Sequence, residues 1–437
     1  MSDFVGDYSL TSIILRKNNI DIEIKELVTE LNLYSSINSV AISADMVITD
    51  NKNLLQTIPL QGGEEIIIDV GTNSNKYILY FIIYKIDSKV QQEKTQVYII
   101  RLCTIDTIKN EQSRYSLRHK NQFAENIVAD LLKNSLKSNK PIDIDKTVYP
   151  INFINPNWRI FDTCTWLSRK SVPRQNIESC GFLFYETLKG YNFKSIDNLF
   201  SHISQNKNNP FTYSAAKTNT DADKNYRIMK YSSSEKYFDI MEETRMGNVA
   251  HYTQRISFTE SKMSLSKSSL NSAWKYFSHL GGGQIPIDIN NKPLQNPSRV
   301  IYTSIVNDLF SSSGSYNSDS DTINKLLDRS IYRYNSMDFY QIDIEIAGNL
   351  GIEVGNIYSL LFPSPNSDSD INRNRMADNG LSGYWMAHSL KHTINRTNAI
   401  TILRLCRDSS GGDATPVKSA NTTIDTTIFN IGNNDIA

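Results

Sequence analysis

The sequence lacks an excess of either charge: 46 lysines and arginines stand against 46 aspartates and glutamates. A nucleic-acid binder carries a basic surplus or a basic face, so this balance gives no electrostatic footprint for that class. Cysteine is scarce. The four residues Cys103, Cys164, Cys180 and Cys406 stand far apart with no CxxC pair, which argues for buried free thiols over disulfides or a zinc site. The opening Met1-Ser-Asp-Phe-Val-Gly-Asp has neither a basic run nor an apolar core. No signal peptide is expected from it, and the chain is expected to be a soluble, cytoplasmically made protein. The most apolar stretch, Tyr77 to Ile86, is too short to span a bilayer as a helix.

Catalytic signatures are also missing. There is no GxSxG, P-loop, HExxH or glycine fingerprint after a strand. Gly281-Gly-Gly-Gln lacks the lysine and hydroxyl of a phosphate cradle and reads as a flexible linker. Of six histidines only His388 and His392 are close together. On a strand they face the same side with Met386 and Leu390, roughly 13 Å apart and too distant to share a metal. Asp319 and Asp321 sit in a serine-rich loop without the glycine and glutamate of an EF-hand. The pair Glu242-Glu243, with Asp239 nearby, is the material for a competing enzymatic reading as a cell-wall hydrolase. The expectation is no catalytic residue, no metal and no cofactor.

What the chain does have is strand patterning at both ends. Ile20 to Ile24, Val40 to Asp50, Glu64 to Val70, Tyr77 to Ile86 and Gln96 to Ile105 recur at roughly ten-residue spacing, as in a small antiparallel barrel. Gln122 to Leu136 and Trp158 to Ser168 have helical spacing, and Gly181 to Thr187 returns to strand. Clean alternation reappears at Phe339 to Ile346, followed by strands at 354–363, 383–394 and 399–407. The expected fold is α+β, mainly β, with two similar antiparallel barrels. The first spans 1–112, and the second is discontinuous over 226–258 and 335–407. An α+β domain fills 113–225, a serine-rich insert 259–334, and a coreless tail 408–437. An echo supports duplication: Tyr98-Ile-Ile-Arg-Leu-Cys and Ile402-Leu-Arg-Leu-Cys both stand in what should be the closing strand.

Two runs of motifs resemble a known family. Near the start stand Leu33-Tyr-Ser-Ser, Thr49-Asp-Asn-Lys-Asn-Leu-Leu and Ile58-Pro-Leu-Gln-Gly-Gly-Glu. Near the end stand Val354-Gly-Asn-Ile, Leu381-Ser-Gly-Tyr-Trp-Met-Ala and Leu403-Arg-Leu-Cys-Arg-Asp, with Gly181-Phe-Leu-Phe-Tyr-Glu-Thr between. In this order they resemble the baseplate central hub proteins of T-even-like contractile phage tails. The resemblance implies a homotrimeric, non-enzymatic ring of pseudo-sixfold symmetry that joins a sixfold tail tube to a threefold spike. Its implied partners are further copies of itself, the spike/lysozyme protein, the tube protein and the baseplate wedge proteins, within the virion, with neither nucleic acid nor membrane bound. The hub of a bacterial contractile injection apparatus is the alternative.

Overall fold

The computed structural model describes residues 8–71, 76–92, 95–213, 225–233, 239–257, 261–282, 288–289, 292–304, 320–363, 378, 380–396 and 398–410. The first module contains β1 (Ser9–Lys17), β2 (Ile20–Glu23), β3 (Val28–Ser36), β4 (Ser43–Asp50), β5 (Glu65–Gly71), β6 (Lys76–Gln92) and β7 (Thr95–Cys103). Alternation does the work expected of it. Ile66, Ile68 and Val70 of β5 and Tyr98, Ile100 and Leu102 of β7 all point into one core, while their neighbours face outward. Asn18 and Asn19 take positive φ in a two-residue hairpin between β1 and β2, a turn that asparagine tolerates better than most residues. Neither β1 nor β3 follows from the sequence pattern. In β3 the consecutive Leu31, Asn32 and Leu33 are all buried, so the period of two is hidden.

The α+β domain adds β8 (Arg118–Gln122), β9 (Ile142–Ile144), β10 (Ile151–Ile154), β11 (Phe182–Thr187) and β12 (Gly190–Ser195). A three-stranded sheet of order β11-β12-β9 packs on the helices Ala124–Asp130 and Ile160–Lys170, where both were expected. The chain then enters the second module, which closes into a barrel. β13 (Phe211–Tyr213) and β14 (Arg227–Ser233) come first. After an insert carrying β15 (Ala250–Ser257), β16 (Lys262–Ser269), β17 (Asp288–Ile289), β18 (Lys292–Pro293) and β19 (Arg299–Ser304), the barrel resumes with β20 (Tyr340–Ala347), β21 (Ile357–Leu361), β22 (Gly383–Asn395) and β23 (Ala399–Arg407). Six strands close on themselves in the order β22-β21-β13-β14-β20-β23.

Four expectations change. The first module, expected as a barrel over 1–112, stays open: its strands run β2-β1-β5-β6-β7-β4-β3 and β2 does not pair back to β3 among the described residues. β15, placed by its alternation in the second barrel (226–258), lies instead between β16 and β19 in a separate sheet. Its inward face is polar, and Thr253 and Arg255 need Asp328 of the long helix Ser320–Ser336 as partner, which an apolar barrel core would not supply. The short β13, assigned by sequence to loop, fills a barrel position and runs parallel to both neighbours, so this barrel is not wholly antiparallel. The tail does not begin at 408, because Asp408 and Ser409 are fully buried.

The duplication extends to register. β3, β4, β5, β6 and β7 correspond in order and direction to β14, β20, β21, β22 and β23. Asp45 faces Arg101 across one module and Asp343 faces Arg404 across the other, with ion pairs of 2.8 and 2.9 Å. Bulges recur at matching places, between Ile83 and Lys85 and between Ala387 and Ser389. Matching bulges also separate Val28 from Glu30 and Ile228 from Lys230. A bulge slips the register by one residue, so its repetition at the same rung ties the two modules together more firmly than a shared tripeptide.

One charged node joins the domains. Arg333, on the long helix and fully buried, bridges Asp197 of the α+β domain at 3.0 Å and Asp408 at 3.2 Å. Its guanidinium stacks on Phe200 and Phe277, and His279 Nδ1 donates to Asp408 at 2.7 Å. Burial alone would raise the Asp408 carboxyl, but the His279 hydrogen bond and the Arg333 charge outweigh it and hold it below the ordinary value. For Asp197 burial wins over Arg333, and its carboxyl is raised. Asp408→Asn leaves Arg333 undercompensated and is expected to cost about 3 kcal/mol at neutral pH. Because the folded-state value of Asp408 is lowered, its contribution is complete above the ordinary carboxylate range and is lost as the pH falls through that lowered value. Denaturant titrations should therefore find the gap between wild type and variant wide at pH 7 and narrowing in acid.

Candidate assembly surface

The two modules meet along one strand. β22 is long enough to serve three neighbours: Gly383–Met386 pair with β21, Met386–Ile394 with β23, and Ser389–Asn395 with Ser36–Glu30 of β3. The last pairing fuses the open first module to the closed second barrel in one thirteen-stranded sheet. Side chains lock the seam. Asp45 accepts from Asn32 at 2.9 Å, Tyr34 at 3.0 Å and Arg101 at 2.8 Å. Asn32 in turn accepts from Thr393 of β22 at 2.8 Å. Ile394, Ala399 and Leu350 reach across to complete the first module's core. Arg396 donates to the Glu26 and Val28 carbonyls beyond the end of β22.

The histidines belong to this seam. His388 is the bulged residue of β22, and its Nε2 meets Asn38 Nδ2 at 3.0 Å. His392 is buried opposite Leu33, with Nδ1 and the Thr401 hydroxyl hydrogen-bonded at 2.9 Å. The bulge breaks the common facing expected of the pair. Among the described residues no group of three or more His, Cys, Asp or Glu is arranged to hold a metal.

The other candidates are not brought together. Asp239 caps the helix Ile240–Met246 by accepting from the Met241 and Glu242 amides, while Glu243 holds Asn248. Gly281 and Gly282 are hydrogen-bonded to Ser409 and Ser410, which corrects the flexible-linker reading for these two residues; Gly283 and Gln284 lie outside the described residues. Asp319 is outside them too, and Asp321 falls in the long helix. All four cysteines are free and buried. No helix among the described residues is long and apolar enough to cross a membrane.

Among the strand stretches with a partner on one side alone in the described residues, two lie within the five-strand pattern that the modules share. β5 pairs β6 only as far as Ile82, so the distal half of β6 has β7 on one side alone. Within the described residues β13 pairs β14 at Arg227 and Ile228, and Met229–Ser233 has β20 as its strand partner there. Apolar side chains are exposed at both: Tyr84 at 52% and Val90 at 53%, Met229 at 40% and Tyr231 at 42%. Neither edge was visible in the sequence, because edge exposure is a property of the pairing partners and not of the strand's own residues.

No protein-family model matches the chain. It is similar to a probable baseplate hub protein, gp334, of Vibrio phage KVP40, at 21% identity over 422 residues, covering 93% of this chain and 96% of that relative. Its fold resembles that of the tail protein from Neisseria meningitidis MC58, with a TM-score of 0.54, 10% identity and coverage of 92% and 97% of the two chains. It resembles equally the 43 kDa tail protein of prophage MuSo2 from Shewanella oneidensis, with a TM-score of 0.54, 8% identity and coverage of 91% and 98%. The two structures bear on fold alone. The resemblance to tail hub proteins drawn from short ordered motifs is borne out by the near full-length relative.

Burial lowers the His392 imidazole from 6.5 to about 4. As the pH falls between these values the unfolded chain takes up a proton that the folded seam refuses. Stability should therefore drop by roughly 3 kcal/mol across that window. His392→Gln is expected to flatten this part of the pH–stability curve in denaturant titrations. An unchanged slope would show that the seam histidine is not the group responsible.

Proposed function

We propose that the chain is a structural hub subunit of a contractile phage tail baseplate, three copies of which form a ring. The observation that carries this reading is the five-strand correspondence in order, direction and register within a chain that is similar over nearly its whole length to a probable baseplate hub protein. A ring of three chains with two equivalent modules each offers six similar faces to a sixfold tube and three to a spike. The tube, spike and wedge proteins are the corresponding partners, and the virion tail is the site of action. The role we read is a structural one, in keeping with the similarity to a probable baseplate hub protein; Asp239 serves as a helix cap and Glu243 holds Asn248.

The purified chain should scatter light as a particle of three times the 49.7 kDa subunit and show rings by negative stain. A stable monomer at micromolar concentration would sink the reading. Glu242→Gln, which touches an exposed side chain outside the barrels, should leave ring formation unchanged. Peptidoglycan hydrolysis that disappears with this change would replace the structural role with a catalytic one.

A further inference from the structure

We propose that the outer face of the insert's three-stranded sheet is a docking surface for a segment of this same chain, residues 422–431. The sheet is inverted. β15 lies between β16 and β19, and its residues facing the long helix Ser320–Ser336 are polar. His251, Thr253 and Arg255 are buried there, with His251 stacked on Tyr332 and the other two bound to Asp328. A sheet packed on one side ordinarily keeps its apolar residues on that side and its polar ones in water. Here the opposite face is the apolar one. The register sets Met263 beside Ile256, and sets Leu265 and Tyr302 on either side of Gln254. Met263 is 66% exposed, Leu265 63% and Tyr302 69%, and Val300 of β19 adds to them. Apolar residues exposed singly are ordinary, but a contiguous patch across one sheet marks a surface that something covers.

The occupant follows from where residues 411–437 depart. Ser409 and Ser410 are hydrogen-bonded to Gly281 and Gly282, so this stretch leaves from the insert itself. Its apolar residues concentrate in one run, 422–431, which reads Thr-Thr-Ile-Asp-Thr-Thr-Ile-Phe-Asn-Ile. Threonine, isoleucine and phenylalanine favour an extended backbone that fits a pleated surface. Charge agrees with the match. Lys267, opposite Tyr252, is the charged residue on the outer face of the three strands, and Asp425 is the charged residue of the run. Reach is ample. Asp425 lies fifteen residues beyond Ser410, and a chain of that length spans at most about 50 Å. An eight-residue strand such as β15 or β16 is only about 26 Å long. A flexible tether this short holds the segment at an effective concentration on the order of millimolar, so a modest apolar contact is enough to seat it. A second copy has no such advantage.

The test is made on the full chain. In Leu265→Cys with Phe429→Cys, mild oxidation should form a disulfide within one chain, seen as a faster band at subunit size on a non-reducing gel. The four native thiols are buried and give little background. Ile154→Cys, an equally exposed position on β10, should not pair with Phe429→Cys. Chymotrypsin gives an independent readout. Cleavage after Phe429 should run at least about tenfold faster in Leu265→Asp than in the wild type, as expected when an apolar contact is lost. Leu265 is exposed, so this variant should keep the fold. Asp425→Lys should speed the cut about threefold, and Asp425→Lys with Lys267→Asp should return it to the wild-type rate. A disulfide that joins two chains when the single variants are mixed would assign the face to a second copy and overturn the proposal. Equal cleavage of wild type and Leu265→Asp, or cross-linking to Ile154→Cys as readily as to Leu265→Cys, would overturn it too. None of these outcomes bears on the trimer, so the hub reading stands or falls separately.

Discussion

The antiparallel pairing of Ser389–Asn395 with Glu30–Ser36 is the constraint on which the rest of the molecule depends. Without it the first module would expose the edge of β3 and lack Ile394, Ala399 and Leu350 from its core. With it, strands far apart in sequence share one hydrogen-bonded surface, and the α+β domain and the insert are held to the side. Backbone pairing suits this purpose because it fixes direction and register together, whereas side-chain packing tolerates slippage. The bulge at His388 aligns Ser389 and Leu390 with both β3 and β23, so one irregularity sets the register on both flanks.

A second constraint is electrostatic. Arg333 has no route to water, and the carboxylates of Asp197 and Asp408 come from segments that the sequence separates by the entire second barrel and its insert. A buried charge of this kind contributes little net stability compared with an apolar replacement, but it penalises any arrangement in which one domain is misplaced. Its effect here is specificity of domain placement. Close approach adds to it: Gly355 has φ +83 and the Tyr185 hydroxyl occupies the space a Cβ would need, so the α+β domain sits directly on the barrel at that point.

Much of the strand content was legible in the sequence wherever one face of a strand meets a core and the other meets water. β5, β7, β20 and β23 obey that rule. The pattern fails where it must: β3, between β4 and β22, is buried on both faces at its centre, and β13 has only three residues to show a period. β15 has the right alternation and the wrong partner, since period two encodes a strand and says nothing of which sheet receives it. The shared Arg-Leu-Cys was a sound signal for a reason invisible in one dimension. Its arginine meets an aspartate directly across in each module, and its leucine is a core position in each. The seam and the free edges were not legible, because the groups that form them are backbone amides and carbonyls, which every residue but proline carries.

Unpaired edges also explain the uneven distribution of charge along β6. A long exposed strand is a template for indiscriminate pairing, and natural sheets blunt such edges with lysine and with bulges. The vacant half of β6 carries Lys85, Asp87 and Lys89, and Ser88 adopts positive φ in its bulge. Toward β5, where a partner is already in place, the same strand is almost wholly apolar, from Tyr77 to Ile83. The charges are thus placed on the part of the strand that is exposed in an isolated subunit, while Tyr84 and Val90 beside them keep enough apolar surface for a matched partner to cover. An edge of this composition disfavours random aggregation.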